Sequence, residues 1–302
     1  MTILTTETRN KKSMHLDEMS ALEIATLMNR EDQKVALAVK KCLPQIAKAI
    51  ELVSKALKKG GRLLYFGAGT SGRLAVLDAS ECWPTFGVEH GVVVATIAGG
   101  DKALRYSVEN AEDSRELGLK DLMLLKPQKE DVVMCLSAGG GAPYVLEILE
   151  KSQKIGIKTI GYSSNTKAKL KKFSNIFINP VVGPEVLTGS SRLKSGTAEK
   201  MVLNQITTGA FTLAGKVYEN LMIDVRVVNE KLRNRAVQMV CEISKVKPEI
   251  AIDCLKKAQK FLNDKTKGVP LAVVMAAKNL SAKQANVLLT KNKNLVRLTL
   301  RG

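Results

Sequence analysis

The sequence predicts an α/β fold, an αβα sandwich on a five-stranded parallel sheet, with an N-terminal helical arm and a small C-terminal helical domain. Three observations carry this. Five short apolar runs recur between residues 62 and 180, separated by stretches with helical spacing. The first run, Leu63-Leu64-Tyr65-Phe66, passes directly into GAGTSG and a helical pattern. Beyond residue 200 only helical periodicity remains.

Residues 1–20 read as an irregular polar arm. ALEIATLMN predicts a short helix, and QKVALAVKKCLPQIAKAIELVSKALKKG a long one that Gly60-Gly61 stop. The strands are expected at RLLYF, GVVVATIAG, DVVMCLS, KTIGYSS and NIFINP. Helical patterns at 71–82, 102–118, 142–154 and 166–172 lie between them, so right-handed crossovers should make the sheet parallel. A long helix should follow Ser195 and another should cover 224–244. KPEIAIDCLKKAQKFL, PLAVVMAAKNL and SAKQANVLLTK then predict three short amphipathic helices. The expected division is 1–58 for arm and helices, 59–244 for the central domain, and 245–302 for a helical, UBA-like module.

Composition removes several function classes. Five scattered cysteines form no C-x-x-C pair, and there are two histidines, too few for a structural zinc site or a histidine-based triad. No run approaches the roughly 18 apolar residues of a membrane helix, and MTILTTETRNKK lacks the pattern of a signal peptide; the expected compartment is the cytoplasm. The net charge of +18 is uneven: residues 1–150 carry 19 Lys/Arg against 20 Asp/Glu, residues 151–302 carry 28 against 9. The lysines are spread through amphipathic helices without interleaved aromatics, the pattern of a solvated face rather than a nucleic-acid surface.

GAGTSG matches G-x-G-x-x-G through Gly67, Gly69 and Gly72, which suggests a dinucleotide loop. A dinucleotide site also needs an acid at the tip of the second strand to hold a ribose, and Thr96-Ile97-Ala98-Gly99-Gly100 offers none. The loop instead carries two hydroxyls, Thr70 and Ser71, at a predicted helix N-terminus. Hydroxyls and free N–H groups at a positive helix end suit a compact terminal phosphate.

GRLLYFGAGTSGRLAVLDASECWPTFG, IAGGDKALRYSVENAEDS, GPEVLTGSSRLKSGTAEKMVLN and GKVYENLMIDVRVVNEKLRNRA resemble, in order, the motifs of the N-acetylmuramic acid 6-phosphate etherases. These are sugar isomerase (SIS) domain proteins of peptidoglycan recycling, related to glucokinase regulatory protein. The similarity is nearly continuous from Thr6 to Ala236 and weaker beyond. It implies a homodimer acting on a sugar phosphate, with no cofactor or metal. The implied reaction cleaves the D-lactyl ether at C3, giving N-acetylglucosamine 6-phosphate and D-lactate, with water replacing the lactate. In the open-chain sugar the C1 aldehyde acidifies the C2 proton. A carboxylate can take that proton and a carboxylic acid can protonate the departing oxygen. By resemblance Glu81, in DASE, is the acid and Glu112, in ENAED, is the base.

The phosphate is expected on Gly69, Thr70, Ser71 and Gly72, assisted by Ser137, with Lys194 as the basic partner of the phosphate or lactyl carboxylate and Arg192 as the second candidate. Arg9 and Asn10 of TETRN are candidates to reach a neighbouring subunit's site. One motif departs: where the etherases read AASGRTPYV this chain reads SAGGGAPYV, placing Gly139, Gly141 and Ala142 on the family's Ser, Arg and Thr. The departure keeps a second class open, a non-catalytic sugar-phosphate-binding regulator of the glucokinase regulatory protein type. Both glutamates are present, which favours the enzyme.

Overall fold

The computed structural model describes residues 5–301. They form two compact units, one of residues 5–80 and 91–208, the other of residues 81–90 and 209–301. The first is built on five parallel strands, β1 (Leu63–Gly67), β2 (Val93–Ile97), β3 (Val132–Leu136), β4 (Lys158–Tyr162) and β5 (Ile176–Ile178), in the order β2-β1-β3-β4-β5. Four lie inside the runs read as strands, and β1 extends one residue past RLLYF, to Gly67.

Side chains alternate across the sheet as a period of two requires. Leu64, Phe66, Val133 and Cys135 face one layer, in a core with α5 (Arg115–Leu124) and α6 (Pro143–Lys154). Tyr65 and Tyr162 face the other. The Tyr65 hydroxyl donates to Asp78 of α3 (Gly69–Phe86), and the Tyr162 hydroxyl to the carbonyl of Ser195 in α7 (Lys194–Leu213). Helices α3 and α7 therefore share the second layer, which is the expected sandwich.

The helices before the sheet divide differently from the sequence pattern. Helix α1 runs from Ala21 to Lys40, held by a Ser20–Glu23 capping box, and α2 from Leu43 to Lys58. Arg30-Glu31-Asp32-Gln33 are ordinary helix formers and do not interrupt α1. The break falls at Lys41-Cys42, because Pro44 in the first turn of α2 has no N–H to continue the ladder.

The helix expected over 102–118 is also corrected. A short α4 (Lys102–Arg105) ends at extended Tyr106. Asn110 takes a left-handed φ of 61°, a 3₁₀ turn covers Ala111–Asp113, and Ser114 starts α5 by accepting from the Leu117 N–H at 3.0 Å. Asn110 and Ser114 are residues whose side chains compete with helix and favour turns and caps. Glu112 thus sits on a turn, not on a helix.

In the second unit, α8 (Glu230–Ser244) starts later than its pattern suggests, because the Asn229 side chain accepts from the Leu232 N–H at 2.9 Å. It shares one core with α9 (Pro248–Phe261), α10 (Val269–Lys278) and α11 (Ala282–Lys291), through Met239, Val240, Leu255 and Val274. A final helix, α12 (Val296–Arg301), is additional to the sequence expectation. No helix among the described residues is long and apolar enough to cross a membrane.

Candidate functional site

In this strand order the chain turns away from β1 in both directions, so the crevice at the carboxyl ends of β1 and β3 is the topological switch point. Gly67 pairs with Leu136, so the loop after β1 and the loop after β3 leave the sheet side by side. The first carries Gly69, Thr70, Ser71 and Gly72; the second carries Ser137.

The β1 loop turns sharply because Gly69 adopts φ +52° and α3 begins there at once. Gly72 packs so tightly that a Cβ would lie 2.5 Å from the Ile97 side chain and 2.9 Å from the Gly67 carbonyl. The first N–H groups of α3 have no carbonyl one turn back, which leaves a positive helix end beside the crevice. The equivalent end of α7 is occupied. Buried Glu185, of the GPE motif, accepts from the Lys194 N–H at 3.0 Å and the Ser195 N–H at 2.9 Å.

The β3 loop is braced from behind. The Ser137 hydroxyl accepts from the Gly140 N–H at 3.1 Å, and Asn165 donates to the Gly139 carbonyl at 3.1 Å. A Cβ on Gly140 would meet that of Ala168 at 2.3 Å. The glycine-rich sequence of this loop therefore permits close packing as well as exposing backbone.

A cleft of about 310 Å³ opens beside the β1 loop. Gly69, Arg73, Asn110 and Glu112 line it, so the base candidate shares a cavity with the first residue of the glycine loop, whereas Thr70, Ser71, Gly72 and Ser137 are absent from its lining. Arg73 shapes its wall: Nε donates to the Leu104 carbonyl at 3.1 Å and Nη2 to the Tyr106 carbonyl at 3.4 Å. Glu112 is exposed on its turn. Glu81, also exposed, lies nearly three turns beyond Ser71 on α3 and is absent from the lining of this cleft.

Lys194 is placed otherwise than a basic partner of the phosphate would be. It is 1% exposed, and its ammonium donates to Glu31 of α1 at 2.8 Å. Burial would raise the Glu31 pKa, but Lys194 and Lys34 outweigh it and hold the carboxyl down to about 2. Arg192 and Arg9 are exposed. Asn10 secures the arm, donating to the Pro184 carbonyl at 3.4 Å and accepting from the Lys12 N–H at 3.0 Å.

The structure also brings in a residue that sequence reasoning passed over. Glu199 of α7 is 1% exposed, and the Ser71 hydroxyl donates to its Oε2 at 2.8 Å. Two turns further along the same helix pair, buried Asp78 accepts from the Thr207 hydroxyl at 3.1 Å. Burial pushes Glu199 up to about 8 and Asp78 to about 6. In the sequence, Glu199 reads as one more acid on an amphipathic helix.

The comparisons with known proteins agree with the fold. Residues 45–153 match the sequence profile of the glucokinase regulatory protein N-terminal SIS domain. A solved phosphoheptose isomerase from Neisseria gonorrhoeae superposes with TM-score 0.51 at 17% identity, over 64% of this chain and 100% of that one, a likeness of fold. N-acetylmuramic acid 6-phosphate etherase of Histophilus somni is 46% identical over 298 residues, 98% of this chain and 96% of the relative. That of Clostridium beijerinckii is 46% identical over 97% of this chain and 94% of its own length. At that identity and coverage, the chain belongs to the N-acetylmuramic acid 6-phosphate etherase family.

Proposed function

We propose that the protein is a carbon–oxygen lyase that cleaves the D-lactyl ether of N-acetylmuramic acid 6-phosphate. The observation that carries this reading, beside family membership, is the cleft that Glu112 shares with Gly69 at the start of the glycine loop.

The phosphate docks at Gly69-Thr70-Ser71-Gly72, on the first three N–H groups and the two hydroxyls, with Ser137 beside them; the Gly72 N–H itself donates to the Ala68 carbonyl at 3.3 Å and closes the turn. With the ring open, the Glu112 carboxylate removes the C2 proton. Electrons move into the C2–C3 bond as the C3–O bond breaks, and the carboxylic acid of Glu81 protonates the leaving lactate oxygen. Water then adds at C3 and a proton returns to C2, so the sum is ether plus water to hydroxyl plus lactate. Lys194 enters as a positioning residue, because its pair with Glu31 seats the first turn of α7.

In this reading residues 59–244 carry the site, residues 1–58 the arm and supporting helices, and residues 245–302 a module outside the chemistry. The working form is a cytoplasmic homodimer, and the pathway served is peptidoglycan recycling.

The regulator reading draws on the substituted loop at 137–145 and on the match to the glucokinase regulatory protein domain. Incubation with N-acetylmuramic acid 6-phosphate separates the two. An etherase releases D-lactate and N-acetylglucosamine 6-phosphate in equal amounts. Saturable binding of the sugar phosphate without lactate release would make the protein a regulator.

A further inference from the structure

Ser71 Oγ has one proton to donate. It can give that proton to Glu199 or to an anion at the head of α3, but not to both. Which of the two receives it is decided by where the Glu199 proton resides. We infer that Glu199 is a positioning residue for sugar-phosphate binding: its carboxylic acid donates to Ser71 Oγ and so frees the Ser71 hydroxyl to donate to the phosphate. Ionised Glu199 would hold the Ser71 proton for itself and add a buried negative charge beside the anion. The inference rests on the phosphate-loop reading above.

The geometry around Glu199 favours the acid form. Its Oε2 meets only the Ser71 hydroxyl, and its Oε1 has no hydrogen-bond partner. It makes no ion pair among the described residues. A carboxylate buried with one hydroxyl and no cation is costly, and taking up a proton removes most of that cost.

The titratable groups packed nearby supply no positive charge. On β4, burial raises the Tyr162 phenol well above its ordinary range, with Glu199, Cys42 and Glu185 adding to it, so it is neutral. On α3, Asp78 is itself a buried acid. On α7, the Lys194 ammonium is paired with Glu31, and Lys200 is exposed. The upward shift of Glu199 to about 8 follows from these surroundings.

The consequence is a proton linkage. A phosphate monoester is dianionic above its second pKa of about 6, so between pH 7.5 and 9.5 any loss of affinity comes from the protein. Glu199→Gln supplies a permanent amide donor to Ser71 Oγ and should make binding insensitive to this range.

The test measures the dissociation constant of N-acetylglucosamine 6-phosphate by calorimetry from pH 7.5 to 9.5. The unmodified protein, Glu199→Gln and Ser71→Ala are compared. The expected result is a loss of about tenfold in the unmodified protein, one decade per 1.4 kcal/mol, and less than twofold in Glu199→Gln. Calorimetry of the unmodified protein in two buffers of different ionisation enthalpy should also show fractional proton uptake on binding at pH 8.5, a readout that needs no variant to fold. Parallel pH profiles, or no proton uptake, would overturn the role of Glu199 while leaving the phosphate site in place if Ser71→Ala still weakens binding. An unchanged constant in Ser71→Ala would overturn the phosphate-loop reading and this inference with it.

Discussion

Glu112→Gln is expected to abolish both lactate release and solvent-deuterium exchange at C2 of the sugar. Glutamine keeps the size of the side chain and its place on the exposed turn at Ala111–Asp113, so the fold should be unaffected. What it loses is the ability to take a proton, and removing a positioned base typically costs about 10²–10⁴ in rate. Glu81→Gln is expected to behave differently. Deprotonation precedes departure of the lactate, so the variant should release no lactate yet still exchange the C2 proton. Exchange followed by NMR in D₂O distinguishes the roles. The reverse pattern would exchange the two assignments, and wild-type lactate release in both variants would remove this pair from the mechanism.

Lys194→Met is expected to produce the largest loss of stability of any single substitution discussed. Lys194 and Glu31 are 1% and 2% exposed, and their charges meet at 2.8 Å. Removing one partner of a buried pair leaves the other charge uncompensated, at a cost of about 3–5 kcal/mol. Lys34 also contacts Glu31 and remains, so the lower end of that range applies. With an unfolding entropy of about 2.1 cal/mol/K per residue, a loss of about 3 kcal/mol lowers the Tm of a chain of 302 residues by roughly 5 °C. The pH dependence has a definite sign. The Glu31 pKa is depressed in the folded state, to about 2 against a reference of 4.5. Its contribution is therefore fully present above pH 4.5 and is lost as pH falls toward 2. The gap in Tm between Lys194→Met and the unmodified protein should be full at pH 7 and narrow below pH 4. A gap of a degree or less at pH 7 would mean that the pair contributes nothing net.

The central sheet was legible in the sequence because fully buried parallel strands leave short continuous apolar runs, and glycines mark their ends. DVVMCLS contains β3 with one residue to spare at each end, and RLLYF matches β1 to within one residue. The sharp glycine turn after β1 was legible for the same reason, since a glycine between a strand and a helix has a backbone cause. The Glu112 segment was misread because the apolar spacing of 102–118 is helical throughout. Its interruption depends on Asn110 and Ser114, whose preference for turns and caps is weaker than periodicity. Lys194 and Glu199 were opaque for a different reason. The sequence shows that each is charged, but what each faces depends on residues 163 positions away in one case and 128 in the other. Charged side chains on helices are usually solvated, and only tertiary packing shows that these two are enclosed.

In the proposed reaction the ether is opened by elimination across C2–C3 and water then enters at C3. Its most direct test is turnover of N-acetylmuramic acid 6-phosphate in ¹⁸O-labelled water, with both products analysed by mass spectrometry. Elimination and hydration predict one labelled oxygen at C3 of N-acetylglucosamine 6-phosphate and unlabelled D-lactate. Label in the lactate, with an unlabelled sugar, would mean that water attacks the lactyl carbon and that the C2 proton is never removed, which would contradict the account.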